Sequence, residues 1–93
     1  MLDFFHSIQN MKLCVKELGF DPHLILYRNK RKELKKYKEP GIYLIRTKGD
    51  NYGHWILLDK NKNTYDTFLG EIVKIDDYDR KEDLVIASLH NIS

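Results

Sequence analysis

The sequence predicts a single α+β domain, in which an N-terminal helix packs on a small antiparallel sheet of about four or five strands. The chain has 93 residues, which is the size of one domain. Apolar residues recur at helical spacing near its start, and short apolar runs separated by turn residues fill the remainder. Its 42% hydrophobic and 12% aromatic residues suffice for a small core and exclude a disordered chain.

The first element is predicted to be a helix over residues 3–18. Its apolar face comprises residues at alternating intervals of four and three: Phe4, Ile8, Met11, Val15 and Leu18. Asp3 is a favourable N-cap, and Gly19 follows where a left-handed C-cap belongs. Pro22 prevents the helix from continuing.

The later elements are predicted from apolar runs and from the residues that separate them. Residues 23–27 should form a short buried strand, and residues 30–37 a short solvated helix with Leu34 and Tyr37 turned inward. Pro40-Gly41 marks a turn. The remaining expected segments are strands at 41–47, 54–59, 64–69 and 84–89, a connecting loop at 48–53, an extended stretch at 71–75, and a polar turn or short helix at 76–83.

A histidine and an aspartate stand on the two strands of the predicted hairpin. A three-residue turn at 59–61, with Asn61 in the left-handed region, would place His54 directly opposite Asp66. A carboxylate there can hold an imidazole in one tautomer, as a general base requires. A two-residue turn at 61–62 would instead put the two side chains on opposite faces. In the simpler interpretation His54 only starts a strand beside a core tryptophan, and Asp66 faces solvent.

Two stretches resemble the His/Asp half of papain-like thiol peptidases: residues 54–58 (His-Trp-Ile-Leu-Leu) and residues 65–70 (Tyr-Asp-Thr-Phe-Leu-Gly). SUMO-type and adenovirus-type proteases likewise start one strand with His-Trp and carry an aromatic-acid pair on the next. The bacteriocin-processing peptidase domains of ABC exporters carry His-aromatic-Val-Val-Leu, then an Asp and, four residues later, a Gly, as Asp66 and Gly70 do here. The order of elements over residues 10–47 is also similar to the exporter peptidases. The resemblance covers residues 10–89 and implies a papain-like core.

The resemblance implies a set of site residues for an active thiol peptidase. Cys14 would be the nucleophile, His54 the base and Asp66 the orienting carboxylate, with Gln9 in an oxyanion hole. In the exporter peptidases the nucleophile begins a helix, whereas the residues before Leu18-Gly19 resemble a later helix of that fold. The resemblance therefore also implies a reduced domain that lacks the segment with the catalytic cysteine.

The environment of Cys14 depends on where the helix begins. A start at Asp3 places Cys14 in the third turn, next to Met11 and Leu18 on the apolar stripe, where a side chain packs. A start near Asn10 would place it about one turn from the helix N-terminus, where backbone amides favour a reactive thiolate. The sequence allows both.

The net charge of +2 conceals an uneven distribution. Residues 28–38 contain seven bases and one acid, and residues 71–83 contain six acids and three bases, so we expect a basic end and an acidic end. Basic groups near Tyr27 and Tyr37 suit contacts to phosphates and bases, although a solvated helix would look the same. The candidate binding residues in this segment are Arg28, Lys30, Arg31, Lys32, Lys35 and Lys36.

Several classes of site and location are not expected. The four histidines show no metal-ligand spacing, and no phosphate loop or dinucleotide signature is present, so we expect no metal and no cofactor. No apolar run is long enough for a membrane span, and the acidic start is unlike a signal peptide. A single cysteine cannot form an internal disulfide, which favours a reducing, cytoplasmic compartment.

Three functional hypotheses follow. The favoured one is a small, non-catalytic protein- or peptide-binding domain of papain-like resemblance, with Trp55 and Tyr52 among its binding residues. A phage, virus or other mobile element could encode such a reduced domain to act on a host protein. The second hypothesis is the active thiol peptidase with Cys14 as nucleophile, and the third is a module that binds nucleic acid or a host factor through residues 28–38. The edge strands of a small sheet would also allow a homodimer.

Overall fold

A computed structural model describes residues 4–19, 21–28, 31–46, 53–66 and 70–91. Within these ranges the chain forms one α-helix and a six-stranded antiparallel sheet, so the α+β class is confirmed. The elements are α1 (Phe4–Glu17), β1 (Pro22–Leu26), β2 (Gly41–Arg46), β3 (His54–Leu58), β4 (Asn63–Asp66), β5 (Glu71–Lys74) and β6 (Leu84–Asn91), with single 3-10 turns at Leu34–Lys36 and Ile75–Asp77. The strand order across the sheet is β1-β6-β2-β3-β4-β5.

The strand count exceeds the predicted four or five. The extended stretch after Gly70 is the additional strand, because β5 pairs with β4 in register from Asn63 opposite Lys74 to Asp66 opposite Glu71. The last strand, β6, returns to the middle of the sheet and pairs with both β1 and β2. The papain-like core stays a prediction, since neither the strand count nor this order identifies it.

Helix α1 is held to the sheet by a narrower apolar face than expected. Ile8 and Val15 are buried, but Leu18 lies beyond the end of the helix and is exposed. Gly19 adopts the left-handed conformation (φ 91°) and its amide donates to the Lys16 carbonyl, as a C-cap should. Cys14 is exposed, so the prediction of a packing position for this side chain is wrong.

The sheet has a core on each face. We call the face under α1 the helix face; its core contains Ile8, Leu44, Ile86 and Ala87, with Leu24 and Trp55 packed against them. The core of the opposite face contains Leu34, Tyr43, Ile45, Ile56, Leu58, Ile75, Tyr78 and Val85. The two 3-10 turns cover the opposite face, because each inserts an apolar residue, Leu34 or Ile75, into its core.

The basic and acidic segments lie side by side rather than at opposite ends of the molecule. The Leu34 amide donates to the Asp83 carbonyl (2.9 Å), and the Val85 amide donates to the Lys32 carbonyl (2.9 Å). Because of this pairing, a single 3-10 turn at Leu34–Lys36 takes the place of the predicted helix over residues 30–37. The expectation of a basic end and an acidic end is therefore wrong.

The β3–β4 hairpin turns one residue later than predicted. The Lys62 amide donates to the Asp59 carbonyl (3.1 Å), and the Asp59 amide donates to the Asn63 carbonyl (3.0 Å). The three-residue loop is therefore 60–62, and Lys62 rather than Asn61 takes the left-handed conformation (φ 64°). As a result Asp66 pairs with Ile56 and not with His54.

Candidate functional site

Three buried polar side chains form a connected network on the opposite face. The Nε2 atom of His54 lies 2.7 Å from Oδ1 of Asp66, and the hydroxyl of Tyr78 donates to Oδ2 of Asp66 at 2.6 Å. Their exposed fractions are 7% for His54, 4% for Asp66 and 2% for Tyr78. Both carboxylate oxygens therefore have a partner inside the protein, as a buried charge requires.

Each of these side chains is positioned by the end of an element. His54 opens β3, Asp66 closes β4, and Tyr78 follows the second 3-10 turn. Because residue 66 is opposite residue 56, His54 and Asp66 are diagonal neighbours on the same face of the sheet. The two side chains thus meet, although not in the directly opposed pair that the sequence suggested.

The network fixes the chemistry of the imidazole and of the phenol. A carboxylate can only accept, so Nε2 of His54 carries a hydrogen, and Nδ1 is the basic nitrogen of the neutral ring. Burial, reinforced by the hydrogen bond to the Asp66 carboxylate, raises the pKa of Tyr78 far above its ordinary value. Tyr78 was not predicted as a site residue because it lies within a charged segment whose pattern is typical of a solvated turn.

The structure does not bring the predicted nucleophile to this network. Cys14 and Gln9 are exposed residues of α1, which packs on the helix face, whereas His54 lies on the opposite face. The sheet backbone separates the thiol from the imidazole. A nucleophile and its base must approach to about 3 Å, so Cys14 as the nucleophile of this network stays a prediction that the placement on opposite faces does not support.

The other predicted binding residues are dispersed. Trp55 is partly buried in the helix-face core, and Tyr52 and Lys30 lie outside the described residues. Arg28 and Lys32 are exposed, while the Nε atom of Arg31 donates to the Tyr27 carbonyl at 2.7 Å.

Acidic neighbours offset part of the charge of the basic segment. Lys35 lies 3.5 Å from a carboxylate oxygen of Glu82 and 3.7 Å from one of Glu33, and Lys36 lies 3.9 Å from the other oxygen of Glu33. These pairs lower the positive potential that an anionic polymer would meet at this segment.

An apolar cleft of about 400 Å³ opens at the other end of the sheet, where β3 and β6 end and β2 begins. Its walls are mainly apolar side chains on the helix face: Val15, Ile42, Leu57 and Leu89. The polar residues at the cleft are Asp59, Lys60, His90 and Asn91. Sequence reasoning missed this cleft because its walls come from five separate segments of the chain.

His90, one of the residues at the cleft, has its imidazole held in a fixed position. Its Nδ1 donates to the Pro40 carbonyl (2.8 Å), so Nε2 of the neutral ring accepts from the Ser88 hydroxyl (2.8 Å). The Ser88 oxygen in turn lies 3.0 Å from the hydroxyl of Tyr27. The ring also lies against Gly41, where a Cβ atom would come within 2.5 Å of Nδ1.

Beyond the cleft, an apolar stripe crosses the uncovered part of the helix face. Leu57 is paired with Tyr65, and Tyr65 with Ile72, so the three side chains lie in a row across β3, β4 and β5. They are 46%, 41% and 71% exposed. Leu57 also lines the cleft, so cleft and stripe form one continuous apolar surface.

The described part of the chain contains no group of three or more histidine, cysteine, aspartate or glutamate residues able to hold a metal ion. In the same ranges, α1 is too short and too polar to cross a membrane. Comparisons of the chain with models of known families, with curated proteins and with solved structures gave no match.

Proposed function

We propose that this chain is a small protein- or peptide-binding domain whose binding surface is the cleft together with the apolar stripe. The main observation in support is that Leu57 belongs to both the cleft and the stripe, which makes them one continuous apolar surface. Concave apolar sites with a few polar groups bind ligands, and exposed apolar patches mark interaction surfaces. A partner could insert one apolar side chain into the cleft and lay the next ones over Tyr65 and Ile72.

We further propose that the domain acts without catalysis. The network of His54, Asp66 and Tyr78 is buried and internally paired, which suits a role in holding β3, β4 and the second 3-10 turn together. The resemblance to papain-like peptidases is then that of a reduced domain, such as a phage, virus or other mobile element could encode. A reducing, cytoplasmic compartment fits the free, exposed thiol of Cys14.

Selection of random-sequence peptides displayed on phage against the intact protein tests the proposal. Leu57→Ser and Ile72→Ser should each weaken binding of the selected peptides by about tenfold or more, since each removes apolar contact area at the centre of the surface. Leu84→Ser is the matched control, because Leu84 is 45% exposed but lies at the far end of β6 from the cleft.

Failure to select any peptide, or equal losses in all three variants, would reject the binding surface. Each variant must keep the circular dichroism spectrum and the thermal unfolding of the unsubstituted protein. A loss of binding then cannot be attributed to a loss of folding. Peptide binding that survives both Leu57→Ser and Ile72→Ser and weakens steeply with salt would point instead to the basic segment, residues 28–38, as the interface.

A further inference from the structure

We infer that the segment bound at this surface is acidic, with carboxylates flanking the apolar side chain that enters the cleft. This inference rests on the proposed function and specifies the chemistry of the partner. It comes from the charges along the edge of this surface that the β3–β4 turn forms.

Three exposed lysines border the apolar surface on the side of the β3–β4 turn. Lys60 lies at the cleft, Lys62 is in the same three-residue turn, and Lys74 follows Ile72 by two residues and so lies on the same face of β5. A ligand that fills the cleft and covers the stripe therefore meets lysines along one edge.

The one acidic group among them, Asp59, is already engaged within the turn. Its Oδ1 accepts from the amides of Asn61 and Asn63 (both 2.8 Å), and its Oδ2 accepts from the side-chain amide of Asn63 (3.1 Å). These bonds, chiefly the one from the Asn63 amide, lower the pKa of Asp59 and keep it ionised. Three lysines and one aspartate leave an excess of two positive charges.

Lys74 keeps its charge available in this arrangement. Its Nζ donates to the backbone carbonyl of Asn61 at 3.1 Å, which fixes the side chain over the turn without neutralising it. The acid on the same strand, Glu71, alternates to the opposite face of the sheet, away from the stripe.

An acidic, apolar segment complements this surface in both respects. Its apolar side chains would leave water in the cleft and over the stripe, and its carboxylates would face the lysines at the edge. Exposed ion pairs add little affinity individually, but they select partners and accelerate encounter, and salt weakens them. Binding should therefore depend on charge at the edge and on apolar contact at the centre.

The peptides selected on phage provide the probe. We expect aspartate and glutamate to be enriched next to their apolar residues. Lys60→Glu and Lys74→Glu should each weaken the binding of a selected acidic peptide by about threefold or more. Lys38→Glu makes the same change of charge at an exposed residue of the basic segment and should leave the affinity unchanged.

The outcomes separate the two proposals. If selected peptides require Leu57 and Ile72 but show no acidic enrichment, and if all three lysine variants bind alike, the surface is a binding site and the acidic partner is rejected. If no peptide depends on Leu57 or Ile72, both proposals fail. If the free protein self-associates in sedimentation and Ile72→Ser abolishes this, the occupant is a second copy of the chain, which also overturns the acidic partner.

Discussion

Asp66 is a carboxylate with almost no access to water, and its two oxygens are taken by two different side chains. An ionised group in such a position is tolerated only if its hydrogen bonds to water are replaced. His54 and Tyr78 supply those replacements from β3 and from the segment after the second 3-10 turn. The network therefore links three parts of the chain that are separate in sequence, and the removal of one donor takes a hydrogen bond away from a buried carboxylate.

We predict that Tyr78→Phe lowers the free energy of unfolding by about 1–3 kcal/mol, because the buried Asp66 loses the hydrogen bond from this hydroxyl while the aromatic ring remains. Urea unfolding at neutral pH measures the change. Tyr65→Phe removes the same hydroxyl from a tyrosine that is 41% exposed and should have almost no effect. Equal effects of the two substitutions would show that the hydroxyl of Tyr78 does not support Asp66.

At the scale of single elements, the β3–β4 turn contains a residue in an unfavourable conformation. Lys62 has a φ of 64°, a region where side chains other than glycine, asparagine and aspartate are strained. The turn tolerates this because Asp59 accepts two backbone amides and the side-chain amide of Asn63. Its stability thus comes from side-chain hydrogen bonds rather than from ideal turn residues.

We predict that Lys62→Gly raises the free energy of unfolding by about 0.5–1 kcal/mol, because relief of the left-handed strain exceeds the entropy that glycine adds to the unfolded chain. Lys60→Gly in the same turn is the control. Residue 60 has a negative φ, so glycine there should lower stability instead. Thermal unfolding of the two variants gives the comparison, and a loss of stability with Lys62→Gly would contradict the assigned turn.

The same turn shows why part of the site could be predicted from the sequence. A shift of the loop by one residue changes the partner of Asp66 from His54 to Ile56, yet both partners point to the same face because they are two residues apart. The contact between His54 and Asp66 is therefore insensitive to that error. Local patterns also located most strands and the end of α1.

Features that depend on contacts between distant segments could not be predicted from local sequence patterns. Tyr78 reaches Asp66 only because Ile75 anchors its segment in the core of the opposite face. The cleft exists because β6 returns between β1 and β2, which brings Leu89 and His90 beside Gly41. Apolar periodicity identifies strands but carries no information about such an order.

At the scale of the whole molecule, the two faces of the sheet are covered unequally. Six strands about 4.8 Å apart span roughly 24 Å from the first to the last, whereas one helix with its side chains is about 10–12 Å wide. Helix α1 packs over Leu24, Leu44, Ile86 and Trp55, toward one side of the helix face. The other side, with β4 and β5, is where the exposed stripe lies. Within the described residues, the exposed stripe is thus a consequence of covering a wide sheet with one short helix.

The sheet also separates Cys14 on the helix face from His54 on the opposite face, and the reactivity of the Cys14 thiol tests this separation. Because Cys14 is exposed on α1, we predict that a maleimide reagent modifies it completely in the native protein, without unfolding. His54→Gln keeps a donor for Asp66 and should leave the rate of modification unchanged, because the imidazole lies on the far side of the sheet. Cys14→Ser should alter the free energy of unfolding by less than about 0.5 kcal/mol. A rate that falls in His54→Gln would instead mean that imidazole and thiol interact, and the thiol peptidase would become the better account of the network.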